Sequence, residues 1–379
     1  MGVKIAVYRY LEEHIIKDLD KKMVFIGGPR QVGKTTLAKS LKERKFNDAV
    51  YLNWDLDEDR RAIMAKEWRK DASLVIFDEL HKYPKWKQWI KGVFDAGDRK
   101  QRILVTGSAR LDTYKKGGDS LLGRYHYWRL HPLGLDELPL GLSSEQAYER
   151  LLSIGGFPEP FLQGDEREAR RWRRERFDRV LKEDIRDLDN IQNVQILSLF
   201  VDALRQRTGS LLTLSNLARD LEIAPKTAKS WLELCEKMYL CFAIRPYTVN
   251  LARSIQKPPK VFFYDNADVL NDEGAKLENF VATHLLKRLQ FIEDYEGFRC
   301  TLHYIRDRDG REVDFLTVID GVPTDLIEVK LSDTKISRSL RYYSEKLKPK
   351  RTVQIVGKLD RSFHKGEVLV IDPIEFFSS

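Results

Sequence analysis

The stretch Phe25-Ile26-Gly27-Gly28-Pro29-Arg30-Gln31-Val32-Gly33-Lys34-Thr35-Thr36 constrains this chain more than any other. It fits G-x-x-x-x-G-K-[ST], with Gly28, Gly33, Lys34 and Thr35 at the defining positions. An apolar run from Met23 to Ile26 leads in, and a helix-like run from Thr36 to Leu41 leads out. The chemistry of the motif needs that context. A strand delivers a loop, Gly28-Pro29-Arg30-Gln31-Val32-Gly33-Lys34-Thr35-Thr36, whose backbone N–H groups cradle a β-phosphate, and the following helix adds its N-terminal dipole. Lys34 is placed to reach the β- and γ-phosphates, and the Thr35 hydroxyl to coordinate Mg²⁺. A chance Gly/Lys turn would need neither the strand nor the helix. The expected cofactors are ATP and Mg²⁺.

Two further runs complete a nucleotide site. Ser73-Leu74-Val75-Ile76-Phe77-Asp78-Glu79 reads as a buried strand ending in two carboxylates, the Walker B pattern. Asp78 is expected to hold Mg²⁺ through water, and Glu79 to polarise the attacking water. Arg102 to Ser108 predicts another strand. Ligands of an open parallel sheet sit at the carboxyl ends of its strands. Ser108 is therefore the candidate to meet the γ-phosphate or the water, with Thr106 second because its side chain can point into the sheet. Ala49 to Asn53 predicts a short strand, and residues 1–20 an amphipathic helix carrying Val7, Leu11, Ile15 and Leu19. Arg124 precedes the strand-like Tyr125 to Leu130. It reads equally as an arginine finger, in cis or from a neighbour in a homo-oligomer, and as a surface arginine paired with an acid.

The phosphate loop, Asp78-Glu79, Thr106-Gly107-Ser108, and Leu122-Gly123-Arg124 followed by His131-Pro132-Leu133 resemble one group of AAA+-type ATPases. In that archaeal and bacterial group an AAA_14-type domain is joined to a C-terminal DUF4143-type region, and Gly155-Gly156-Phe157-Pro158 matches the usual start of the second part. The resemblance runs over nearly the whole chain. It implies an ATPase core, a lid-like helical segment, a winged helix and a nuclease-like domain.

Between Glu166 and Leu188 charges of both signs alternate, which predicts a solvated helix with i,i+4 pairs ahead of a DNA-facing arginine ridge. Leu214 to Leu221 and Pro225 to Leu234 predict a helix-turn-helix, with Leu240 to Arg245 as a wing strand. Lys226, Thr227 and Lys229 then lie near the start of the second helix, where base or phosphate contacts arise. A winged helix used only as a lid or for protein contacts is equally weighted.

Past Pro258-Pro259, a strand over Val261 to Asp265 and a helix carrying Glu278 precede three strands. Asp314, Glu328 and Lys330 give D-(x)n-E-x-K, with a hairpin at Asp320-Gly321. Period-2 geometry puts Glu328 and Lys330 on one face. Two carboxylates on adjacent strands can bind Mg²⁺ or Mn²⁺, and the lysine can orient a water near a phosphodiester. This resembles the PD-(D/E)xK nuclease core, with Glu278 as an additional acid. Glu-Val-Lys alone is a common surface pattern, and a nuclease-like fold also serves as a binding module. Arg338, Arg341, Tyr342, Tyr343, Lys346, Lys348, Lys350 and Arg351 form a basic, partly aromatic segment suited to a nucleic-acid backbone or to a solvated helix face.

The 379 residues predict two to three domains. The fold expectation is α/β: a P-loop parallel-sheet ATPase over 1–135, a helical lid over 136–195, a winged helix over 196–256, and a PD-(D/E)xK-like domain over 257–379. Glu12, Glu13, Lys17 and Asp18 break any signal-peptide core, no run approaches the ~20 apolar residues of a membrane span, and three scattered cysteines suggest neither disulfides nor zinc. A cytoplasmic protein is expected. The net charge of +8 favours anionic partners, and nucleic acid, DNA over RNA, is the expected partner of the whole constellation. Two functions remain open at this point: an ATP-driven enzyme with a metal-dependent nuclease-like domain, or a nucleotide switch whose C-terminal domain binds DNA or protein without cutting.

Overall fold

Strands buried on both faces are written as unbroken apolar runs, and two such runs build the first sheet. Met23–Gly27 (β1) and Leu74–Asp78 (β3) are buried at every position. The computed structural model describes residues 7–97, 101–107, 121–139, 141–181, 194–248, 257–270 and 272–378. Contacts divide the chain into two compact units, residues 6–132 and residues 133–379 with 1–5.

In the first unit the sheet order is β2-β3-β4-β1-β5, with β2 at Val50–Asn53, β4 at Arg102–Thr106 and β5 at Tyr125–Arg129. Every neighbouring pair is parallel. One strand, β4, therefore separates the phosphate-loop strand from the strand ending in Asp78. The ladders align Ile26 with Thr106 and Thr106 with Asp78, so the three strand ends open on one edge. Helix α1 (Glu12–Leu19) buries Ile15 and Leu19, and α2 (Lys34–Arg44) buries Leu37, Ala38 and Leu41. On one sheet face Phe25, Val75, Phe77 and Val105 pack with Trp86 and Ile90 of α4 (Trp86–Ala96), where Phe77 meets Trp89 edge-on. Helix α3 spans Asp57–Ala65.

The second unit starts with helices α5 (Ser144–Ser153), α6 (Pro158–Gln163) and α7 (Glu166–Arg179). A capping box between Ser143 and Gln146 starts α5. The charged helix is solvated on one face, where Arg170 and Glu166 form an i,i+4 pair, and buried on the other. Arg176 is 3% exposed and lies over the Phe157 ring at 3.9 Å, because α7 packs against the Gly155–Phe157 segment and the Asp268 turn. Helices α8 (Val194–Arg205), α9 (Leu214–Asp220) and α10 (Pro225–Lys237) follow, the last two forming the expected helix-turn-helix.

Strand β6 (Cys241–Pro246) pairs antiparallel with β7 (Lys260–Phe263), and β6 also pairs parallel with β8 (Cys300–Arg306). The Pro258-Pro259 step thus lies inside one eight-stranded sheet, ordered β12-β13-β11-β10-β9-β8-β6-β7. The remaining strands are β9 (Glu312–Ile319), β10 (Val322–Lys330), β11 (Arg351–Val356), β12 (Phe363–Lys365) and β13 (Val368–Ile371). Asp320 and Gly321, both at positive φ, form the β9–β10 hairpin. The 24-residue α11 (Glu273–Glu296) packs along β7 to β10, while α12 (Arg338–Leu347) lies on β9 and β10. The C-terminal helix is α13 (Pro373–Ser378). Among the described residues no helix is long and apolar enough to cross a membrane.

Candidate functional site

The phosphate loop is built by two left-handed glycines and a close approach. Gly28 has φ +130°, and a Cβ there would meet the Leu130 carbonyl oxygen at 2.3 Å. Gly33, at φ +97°, precedes α2 and turns the chain so that the N–H groups of its first turn face the loop. Gln31 shares the left-handed conformation at φ 63°, and Val32 is fully buried. The Lys34 ammonium, itself buried, donates to the carbonyls of Gly28 at 3.0 Å and Pro29 at 2.5 Å. Arg9 is a residue that sequence reasoning missed. Its buried guanidinium donates to the Val32 carbonyl at 2.9 Å and the His131 carbonyl at 2.5 Å, strapping the loop to the segment after β5.

Asp78 is 2% exposed and accepts from three hydroxyls. Thr35 donates to Oδ2 at 2.8 Å, Tyr51 to the same oxygen at 2.6 Å, and Thr106 to Oδ1. Burial, followed by its hydrogen bond to Asp78, pushes the Tyr51 phenol upward, so it stays a donor. Thr35 and Asp78 thus present an oxygen pair, hydroxyl and carboxylate, of the kind that Mg²⁺ takes beside a nucleotide. The tight glycine turns at Gly28 and Gly33, the lysine and this pair all fit a Mg²⁺-nucleotide.

Glu79 follows Asp78 in left-handed conformation, φ 57°, which its N–H bond to the Thr106 carbonyl at 3.0 Å pins. Its carboxylate lies 3.3 Å from Lys82 Nζ and 3.8 Å from His81 Nε2, while Lys82 also holds Asp55 at 2.5 Å. Burial raises the Glu79 pKa, against the pull of Lys82 and Lys34. A carboxylate so raised is a better proton acceptor than a solvated one.

Arg124 stands at the far end of the sheet. Its neighbour Tyr125 is level with Met23, where β1 begins, whereas Arg129 is level with Gly27. The Arg124 guanidinium pairs with Asp95 at 2.8 Å, the surface-pair reading. A finger acting in cis is corrected on this geometry, since a strand length separates Arg124 from the phosphate loop. Ser108 lies outside the described residues, and Thr106, the second choice, is the side chain found on Asp78.

In the second unit, β9 and β10 pair through Phe315 and Ile327, putting Asp314 beside the Glu328 end of β10. Asp314 Oδ2 accepts from the Val329 N–H at 2.8 Å, and Lys330 Nζ lies 2.7 Å from Glu328 Oε1. Two groups not foreseen complete the cluster. Lys260, 3% exposed, bridges Glu312 at 2.7 Å and Glu278 at 3.3 Å. Burial, then the Asp314 charge, lifts Glu278 to about 8 and Glu328 to about 7; burial also raises Asp314. The assigned set Glu278, Asp314 and Glu328 is brought into one electrostatic neighbourhood. Among the described residues, however, no three Asp, Glu, His or Cys side chains converge as a metal cage. A buried ammonium sits at this cluster between Glu278 and Glu312.

Residues 20–139 match the family model of an AAA domain, AAA_14, and residues 273–376 that of DUF4143, a domain of unknown function. A third model, DUF8612, also a domain of unknown function, matches residues 145–269. The chain therefore carries an AAA-type P-loop ATPase domain and a DUF4143 region. An uncharacterized protein of Mycobacterium tuberculosis is 25% identical over 333 residues, 84% of this chain and 73% of that protein, and one of Mycobacterium bovis gives the same figures. Among solved structures, Bacteroides Pif1 bound to ssDNA aligns with 40% of this chain and 46% of its own, at 12% identity and a TM-score of 0.23. A Pyrococcus horikoshii signal-transduction ATPase with a tetratricopeptide repeat sensor aligns with 78% and 48%, at 16% identity and a TM-score of 0.24. This chain spans less than half the length of either, and superpositions this loose carry no argument about its activity.

Proposed function

We propose that the chain hydrolyses ATP at the Lys34–Thr35–Asp78–Glu79 site and that nucleotide state governs a second unit acting on nucleic acid, DNA before RNA. The carrying observation is the bond from Thr35 to a buried Asp78 beside Lys34. Bound Mg²⁺-ATP supplies the electrophilic phosphorus and its charge neutralisation. The backbone N–H groups from Gly28 to Thr36, Pro29 excepted, would bind phosphate oxygens, and Lys34 would give up the loop carbonyls to join them. Thr35 and Asp78 would hold the ion, and Glu79, whose proton affinity burial raises, would take a proton from the attacking water. The test is phosphate release by the full chain. Lys34→Ala should lose nucleotide binding and turnover, and Glu79→Gln should bind but turn over at least 100-fold more slowly. Turnover by Glu79→Gln at the wild-type rate would remove Glu79 from its role.

For the second unit, helices α9 and α10 with β6 and β7 read as a winged helix, and Lys226 and Lys229 are exposed at the start of α10. On α12, Arg338, Arg341 and Lys346 are exposed, and Arg311 lies over Tyr342 at 4.4 Å. These cations support a phosphate-tracking surface whose affinity falls with salt. The Lys260 bridge favours a module that binds without cutting. The placement of Asp314, Glu328 and Lys330 favours the second reading, metal-dependent cleavage. Incubating supercoiled plasmid with wild type and Lys330→Ala, in Mg²⁺ or Mn²⁺ with and without ATP, separates them. Nicking by wild type alone establishes cleavage, and intact plasmid with salt-sensitive binding leaves the binding module.

A further inference from the structure

The second unit contains a cleft of 870 Å³ between α5, the start of α11, the segments after β10 and β11 and the start of α13, bordering the Glu278–Lys330 cluster through Leu277 and Leu331. That volume lies within the ~300–1,000 Å³ common for ligand clefts. Its charge reverses that of the molecule. In a chain of net charge +8, the lining carries Glu145, Glu149, Glu273, Asp372 and Glu375 against Lys276 and Lys358. Lys358 is already engaged with Glu273 at 3.3 Å. Between the acids the lining is apolar, with Tyr148, Leu152, Leu359 and Leu331, the last 37% exposed.

The spacing along α5 narrows the occupant. Glu145 and Glu149 stand four residues apart, and so do Tyr148 and Leu152, giving an acidic line beside an apolar line at one helical turn per step. A second helix repeats its side chains at that same step. We propose that this cleft docks an amphipathic helix of a protein partner, with an apolar stripe at i, i+4 and i+7 flanked by lysine or arginine. The stripe seats on Tyr148, Leu152 and Leu331, and the basic flank faces Glu145 and Glu149. This is the helix-in-groove mode, with charge fixing orientation and apolar contact giving most of the affinity. The acidic rim repels phosphate, so nucleic acid is turned away from this face. The inference does not depend on ATP hydrolysis or nucleic-acid binding.

The test is fluorescence anisotropy of the full chain with three labelled 14-residue probes. One has a leucine stripe flanked by lysines, one has glutamate in place of each lysine, and one has the first composition scrambled to abolish the stripe. Binding of the first probe alone, weakened at least tenfold by Glu145→Lys/Glu149→Lys and by Leu331→Asp, is expected. These positions are exposed, and unchanged circular dichroism of the variants verifies folding. Equal binding of the scrambled probe, or affinity unmoved by both variants, would overturn the proposal. So would tight binding of the glutamate probe, or failure of every probe to bind.

Discussion

Lys260→Met should destabilise the second unit in a pH-dependent way. The variant retains the aliphatic length beside Tyr304, whose ring lies 5.7 Å from Nζ, and removes only the charge. Wild-type Nζ neutralises Glu312 at 2.7 Å and Glu278 at 3.3 Å in a position 3% exposed. Removing one partner of a buried ion pair costs about 3–5 kcal/mol. At pH 8 the variant should lose an amount of that order. At pH 5 the loss should be smaller by the share of Glu278, which is lifted to about 8 and already protonated there, while Glu312, whose pKa is held low, stays ionised and keeps its share. The direction follows from linkage. A folded carboxyl whose pKa exceeds its unfolded value binds the extra proton, so its contribution is present below the unfolded pKa and fades as pH rises through the folded one. Amide exchange of β9 and β10 at pH 5 and pH 8 is the assay, since it reads local stability in a chain of two units. An equal loss at both pH values would refute the charge argument and leave packing as the role of Lys260.

The remaining predictions concern the first unit. Thr106→Val removes one of three donors to buried Asp78; a loss of about 1.5–3 kcal/mol and weaker binding of a fluorescent ATP analogue are expected, and a variant unchanged in both would show the bond to be idle. Gly28→Ala should abolish nucleotide binding, because its Cβ meets the Leu130 carbonyl at 2.3 Å in a left-handed backbone; a titration giving wild-type affinity would contradict this. Arg124→Ala should leave ATP turnover of the dilute chain within about twofold of wild type, since its guanidinium sits on Asp95 at the wrong end of the sheet; a 100-fold loss would restore a finger role, supplied in trans.

The first sheet was legible because each of its signals is local. Gly28, Gly33, Lys34 and Thr35 are spaced by the loop itself, and the Asp78-Glu79 ending follows an unbroken apolar strand. Asp314, Glu328 and Lys330 were legible for a similar reason, since period 2 and one hairpin bring them together. Arg9 and Lys260 were not. Each reaches its partners across long sequence separations, 122 residues from Arg9 to His131 and 18 from Lys260 to Glu278, and neither sits in a periodic pattern. Lys260 left one trace, a charge opening the otherwise apolar Lys260–Phe263 strand. Arg176 misled for the opposite reason. The helix around it is densely charged, and its burial becomes intelligible only with the Phe157 ring and the buried Asp268 beside it. Arg124 was ambiguous because sequence order does not say whether the strand it precedes runs parallel to the phosphate-loop strand, which decides the edge it occupies.

The Arg9 strap bears on where this molecule can be cut. The AAA-domain match begins at residue 20, eleven residues after Arg9. A fragment trimmed to that boundary would keep every motif residue of the phosphate loop and lose the guanidinium that ties Val32 to His131. Such a fragment is expected to hold nucleotide weakly while its sequence motif looks complete, so the working limits of the ATPase part reach upstream of the segment by which it is recognised.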